Sequence, residues 1–231
     1  MKPAPLFLSY HGDNGFYLPY SRQRDLSPAL RTMSKRGPFD KWLLKKYTSP
    51  PCQILPTDTV IDCGAFVGAF SIAALKQGSK KIFSVEPSPA SVECLQLNIE
   101  HYQGTDHITP LAMALGDNAK SLPLNLSTHP CENSFLRCDK GATGQAITTQ
   151  IQTCDWLIES NKINPEHLYL KVEAEGFEVE IIEGLTKFNP RVIVIDVTPE
   201  RDGRSPRHHL SKLLSARGYS LLNTNRCLFA Y

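Results

Sequence analysis

Asp62, Gly64 and Gly68 fall in the run Val60-Ile-Asp-Cys-Gly-Ala-Phe-Val-Gly68, where a β-branched stretch meets a glycine and a small-residue helical pattern. Such a strand-to-helix junction offers free backbone amides to a ligand, and glycine lets the backbone come close to it. The spacing is D-x-G-x-x-x-G, unlike the G-x-G-x-x-G that cradles a dinucleotide pyrophosphate. An acidic side chain beside the loop repels a pyrophosphate and suits the cationic amino-acid end of S-adenosylmethionine. A structural turn with a capping glycine is the alternative reading. Glu86 follows at the end of the next apolar run, about twenty residues on, where a carboxylate can accept hydrogen bonds from ribose hydroxyls.

A second group of polar residues lies in Lys171-Val-Glu-Ala-Glu-Gly176. Alternation along a strand puts Lys171 and Glu173 on one face, with Glu173 at the carboxyl end facing a crevice. Glu175 precedes a glycine at a helix start, where a carboxylate suits the helix dipole. The plainer alternative is that Lys171 and Glu173 pair and Glu175 caps. Asp196 ends the following strand, and two carboxylates without a visible third ligand argue against a metal site. Beyond it, Arg201-Asp-Gly-Arg-Ser-Pro-Arg-His-His209 leads into a helix. Cations there oppose the dipole, so Arg204, Arg207 and His208 invite an anionic neighbour, or else the loop is simply solvated. His208 or His209 could serve as a base, since imidazole titrates near neutral pH. Asn133 and Ser134 line the same site or close their own loop.

The elements that must position these groups alternate. Strands are expected at Thr59–Cys63, Lys81–Glu86, His107–Ala114, Tyr169–Glu173, Val192–Val197, Tyr219–Leu222 and Cys227–Ala230. Helices fit at Phe66–Gln77, Ser88–Tyr102 with Ser88 as cap, Glu178–Lys187 and Arg207–Arg217. This predicts an α/β, doubly wound, mostly parallel seven-stranded sheet. The short turn at Asn223–Arg226 makes its C-terminal strand antiparallel. Between Gly116 and Thr153, Leu122–Leu126 and Ile147–Ile151 suggest an added hairpin. Residues 1–56 differ: aromatics cluster at Phe7, Tyr10, Phe16, Tyr17 and Tyr20 around Gly12 and Gly15. A helix from Pro38 to Tyr47 repeats Phe39, Trp42, Leu43 and Lys46 at three- and four-residue steps, before Pro50, Pro51 and Pro56. This segment is expected to cap, on the substrate side, a domain spanning 57–231.

Composition fits that picture. The chain has 231 residues, 41% apolar and 21% charged, the proportions of one globular α/β domain. A net charge of +2 is too small by itself to argue for nucleic acid or an anionic membrane, neither of which is expected as a partner, and no apolar run is long enough to span a bilayer. The N-terminus, with Lys2, Pro3, Pro5 and Asp13, lacks a signal-peptide core. Seven cysteines, Cys138 among them, without a C-x-x-C pair read as reduced core residues of a cytoplasmic protein.

Several segments, in order, resemble the FkbM-type methyltransferases: VIDCGAFVG at 60–68, FSVEPSP at 83–89, ALGD at 114–117, NSFL at 133–136, TCDWL at 153–157 and LKVEAEGFEVEIIEG at 170–184. The resemblance implies a class I methyltransferase fold and S-adenosyl-L-methionine as methyl donor. It also implies O-methylation of a sugar or natural-product hydroxyl. It places Asp62, Gly64, Ala65, Phe66, Gly68, Glu86, Pro87, Ala114, Leu115 and Gly116 against the cofactor. Glu173, Lys171 and His208 are the catalytic candidates. Asn133, Ser134, Glu175, Asp196 and Arg204 are the acceptor-side candidates. The chain departs from the family in carrying Glu173 where aspartate is usual, which moves the carboxylate outward by about one C–C bond. It also carries Asp196 where glutamate is common. A nucleotide-dependent oxidoreductase, a non-catalytic cofactor-binding protein and an N-methyltransferase of peptides or proteins are the competing classes. The acceptor's identity and the oligomeric state stay open.

Overall fold

A computed structural model describes residues 5–9, 15–28, 30–31, 37–136 and 141–231. Tyr10, Gly12 and Cys138 lie outside these. Seven strands form the central sheet: β3 (Thr59–Cys63), β4 (Lys81–Val85), β5 (Ile108–Leu111), β9 (Leu168–Val172), β10 (Val192–Asp196), β11 (Leu221–Asn223) and β12 (Cys227–Ala230). Their order is β11-β12-β10-β9-β3-β4-β5. β3, β4, β5, β9 and β10 run parallel, and β12 is antiparallel to both its neighbours. Strand order therefore reverses between β3 and β9, and their carboxyl ends open the crevice that binds ligands in such sheets.

Side-chain alternation divides the core into two faces. Val60, Tyr169, Val192, Val194 and Phe229 join one apolar cluster with helices α2 (Ala69–Lys76) and α3 (Pro89–His101). Ile61, Leu170, Ile193, Ile195 and Leu228 join the other, against α4 (Cys154–Ser160), α5 (Glu178–Glu183) and α6 (Arg207–Ala216). Phe16, Leu18, Tyr20, Phe39, Leu43 and Tyr47 from the first fifty-six residues pack into the first cluster. Tyr20 aside, they come from β2 (Gly15–Leu18), which pairs antiparallel with β1 (Leu6–Ser9), and from helix α1 (Phe39–Tyr47).

Several boundaries differ from expectation for local reasons. The helix expected from Phe66 begins at Ala69, because Phe66 (φ 51°) and Gly68 (φ 81°) are left-handed and cannot continue it. The third strand stops at Leu111; Ala114–Leu115 (β6) pairs instead with β8 (Ala142–Gln152), whose antiparallel partner is β7 (Lys120–Ser127). α5 ends at Glu183 rather than Lys187, since Asp155 Oδ2 accepts hydrogen bonds from the amides of Thr186 and Lys187 at 2.8 and 3.0 Å. Ser88 occupies the cap position of α3 without a side-chain cap; its own amide donates to Glu86.

Candidate active site

A cavity of about 370 Å³ opens at the carboxyl ends of β3, β4, β9 and β10. Gly64, Ala65, Phe66, Glu86, Pro87, Ala114 and Leu115 line one half. Here Glu86 Oε2 accepts the Phe66 amide at 2.8 Å and Oε1 the Ser88 amide at 2.9 Å, so the carboxylate ties the loop after β3 to the end of β4. Burial, opposed by those two amides, pushes the Glu86 carboxyl up to about 7. The two motif glycines serve packing. A Cβ on Gly64 would stand 1.7 Å from the Glu173 carbonyl oxygen, and one on Gly68 2.4 Å from Leu95. Gly64 thus lets β9 press against the loop.

Between the halves runs a chain of alternating charges. Lys171 Nζ lies 3.0 Å from Asp62 Oδ1 and donates to the Gly64 carbonyl at 2.7 Å. It sits 3.6 Å from Glu173 Oε2. Glu173 Oε1 accepts from Lys46 Nζ at 2.6 Å, and Lys46 also lies 2.5 Å from Asp196 Oδ2. Partial burial raises the Glu173 carboxyl, but Lys46 and Lys171 outweigh it and hold it down to about 2. Burial likewise disfavours the Lys46 charge, and Glu173 and Asp196 overcome it and raise its pKa. Asp62 is fully buried, with Oδ2 accepting from the Ser71 hydroxyl at 2.7 Å, and it faces Lys171 beneath the cavity rather than lining it.

The methyltransferase FkbM domain matches residues 62–221. The chain belongs to that family. The domain that this match names is a methyltransferase domain. Among solved structures it is similar to methyltransferase FkbM from Methylobacillus flagellatus KT, at 18% identity and a TM-score of 0.53, covering 83% of this chain and 50% of that one. This chain therefore spans half the length of that relative, and at such identity the likeness is one of fold. A SAM-dependent methyltransferase from Aquifex aeolicus matches at 12% identity and a TM-score of 0.45, covering 84% of this chain and 88% of that one. No curated protein sequence matches.

In this FkbM-family chain the first half of the cavity fits the adenosyl group by its donor set. Each Glu86 oxygen that accepts an amide retains a lone pair for a ribose hydroxyl, and Val85, Ala114, Leu115 and Phe177 offer apolar walls. The other half is lined by Trp42 and Leu43 of α1, by Glu132 and Asn133, and by Glu175 and Glu200. Glu175 is itself left-handed (φ 48°), with the Ser134 hydroxyl donating to its carbonyl at 2.7 Å. Burial and the neighbouring Glu200 push the Glu175 carboxyl well above the ordinary range; burial and Glu178 push Glu200 up to about 8.

Of the candidates from sequence, Lys171, Glu173, Glu175, Asp196 and Asn133 line this cavity together with Gly64, Ala65, Phe66, Glu86, Pro87, Ala114 and Leu115. Asp62, Gly68, Gly116 and Ser134 stand behind the lining. Arg204 and His208 are exposed and lie outside it, and Arg207 donates to Asn223 Oδ1 at 2.7 Å at the end of β11. Lys46, Trp42, Glu132 and Glu200 were not legible as site residues. For Lys46 the one available signal was a lysine placed in the apolar register of α1.

Proposed function

We propose that this chain methylates a hydroxyl of an uncharged, polyhydroxylated acceptor, a sugar or a natural product. The observation that carries the reading is the composition of the second half of the cavity. Trp42 offers an aromatic plate, and Glu132, Asn133, Glu175 and Glu200 offer acceptors for several hydroxyls. An anionic acceptor, the kind that Arg204 and Arg207 had suggested, has neither arginine in the cavity to meet it. When bound, S-adenosylmethionine supplies an activated methyl carbon. The chain's part is to align the hydroxyl and take its proton. Glu173 lies between the two halves, but a carboxyl held near 2 is a weak base. Its role in this reading is orientation, by accepting the hydroxyl's hydrogen bond. Glu200, pushed up to about 8, has the proton affinity that a base needs near neutral pH.

A second reading, an amine acceptor, is favoured by the crowding of Glu132, Glu175 and Glu200, because a bound ammonium would let the raised carboxyls of Glu175 and Glu200 ionise beside it. Transfer of a labelled methyl group to a panel of matched sugars, amino sugars, phenols and peptide amines tests both. Label on neutral polyols or phenols is expected. Label confined to amines would transfer the proposal to the second reading, and label confined to phosphorylated acceptors would overturn both.

A further inference from the structure

We infer that Lys46 is a positioning residue of the acceptor site, a cationic clasp from α1 that holds the carboxylates ending β9 and β10. The inference rests on Glu173 facing the acceptor, as proposed above. Lys46 lies outside residues 62–221, the span of the family match. Its side chain is 9% exposed, and its ammonium reaches Glu173 at 2.6 Å and Asp196 at 2.5 Å. The rings of Tyr47 and Trp42 flank that ammonium, with centroids at 4.6 and 5.6 Å.

Neighbouring parallel strands bring Glu173 and Asp196 side by side, following the Val172–Ile195 pairing of β9 and β10. Two adjacent carboxylates with no cation between them would repel, and one would protonate. The ammonium occupies the space that a shared metal ion would need. It brings three donors and a fixed stem, so it orients as well as neutralises. The other groups facing Glu173 are Tyr47 of α1, Lys171 of β9, Cys227 of β12, and the carboxyls of Glu175 and Glu200. Lys171 is itself engaged by Asp62 and Gly64 and stands farther off, so the orientation falls to Lys46. The segment before the family domain thereby contributes a functional group as well as apolar packing.

The test uses the full chain with S-adenosylhomocysteine bound and glutamate carboxyls labelled with ¹³C, the Glu173 signal being assigned with Glu173→Gln. In the wild type this signal stays ionised through pH 5 and above. Lys46→Met should bring its titration up into the range of an ordinary glutamate, and Lys46→Arg should return it. With any acceptor that the panel identifies, Lys46→Met should lower kcat about tenfold or more while the cofactor KM changes less than about twofold. An unmoved Glu173 signal in folded Lys46→Met overturns the inference. Should that variant not fold, acetylation of the wild type decides: Lys46 should react at least about tenfold more slowly than exposed Lys41 and Lys45, and equal rates overturn the clasp. Retained transfer in Glu173→Gln would remove the acceptor reading of Glu173 while leaving the Lys46 contacts measurable. Loss of transfer in Glu173→Gln with no effect of Lys46→Met would remove the clasp alone.

Discussion

Lys171 and Asp62 are register partners on β9 and β3, and their charged ends meet 3.0 Å apart in the interior, 2% and 0% exposed. The pair underlies the glycine loop, because the same ammonium donates to the Gly64 carbonyl. Removing one member leaves the other charge buried. Lys171→Met should lower the unfolding free energy by about 3–5 kcal/mol, measured by urea denaturation. The double variant Asp62→Leu/Lys171→Met should recover most of it. An unchanged urea midpoint in Lys171→Met would show that the pair contributes nothing to folding.

Glu86 should control cofactor affinity with a defined pH dependence. Its carboxyl is raised to about 7 in the free chain, and ribose hydroxyls donate best to the ionised form. Binding therefore releases a proton, and S-adenosylhomocysteine affinity should increase as pH rises through about 7. In the free protein the sign is opposite. The folded state holds the proton more tightly than the unfolded one, so Glu86's contribution to stability falls as pH rises through the same interval. Glu86→Gln should flatten the binding profile, and Glu86→Ala should weaken binding by about 1–3 kcal/mol at pH 8 in titration calorimetry. A wild-type affinity independent of pH between 5.5 and 8 would refute the ribose assignment.

Glu173→Gln should reduce kcat about 10²-fold or more with little change in cofactor affinity, since an amide keeps the shape and loses the charge that orients a hydroxyl. Glu173→Asp restores the usual family residue but shortens the arm that reaches Lys46. Intermediate kcat is expected, read in single turnovers where chemistry is limiting. Near-wild-type single-turnover rates in Glu173→Gln would pass the role to Glu200 or Glu175.

Asp155, inside the TCDWL segment, has a structural task. Its Oδ2 accepts from the Thr186 amide and hydroxyl, both at 2.8 Å, and from the Lys187 amide at 3.0 Å. Asp155→Ala should cost about 2–3 kcal/mol in denaturant unfolding while S-adenosylhomocysteine affinity is kept. A large loss of affinity without loss of stability would assign the segment to the site instead.

Chelation should leave transfer intact, because Lys46 already fills the space between Glu173 and Asp196. Activity that disappears with chelator and returns with magnesium would contradict this.

The sequence carried the strand ends well. β3 and β12 fall on their expected residues, because short β-branched or apolar runs bounded by turn residues leave few other readings. Glu86, Glu173 and Asp196 could be placed at the cavity for the same reason. The partner of Asp62 was not legible from its own strand. Asp62 lies one residue short of the strand end, and alternation turns it toward Lys171 instead of the opening. Lys46 was hidden because its stem packs like a hydrophobic side chain, which is why it fell into the apolar register of α1, while its charge meets partners 127 and 150 positions away. The β1–β2 pair was not legible because its strands are four residues each and read as scattered aromatics.

The placement of β12 bears on how the chain is made. β12 is not an edge: it is inserted between β10 and β11, pairing Val194 with Phe229 and Leu222 with Phe229. During synthesis from the N-terminus, Val-Ile-Val-Ile-Asp at 192–196 emerges before the strand that covers it. Its backbone donors and acceptors then form an open, apolar template for pairing with another copy. Nascent chains stalled before Cys227 should for this reason collect in aggregates, even though the cofactor loop and Glu173 have already been built. In this fold the covering of β10 waits on Cys227–Ala230, which are made after the residues that line the cavity.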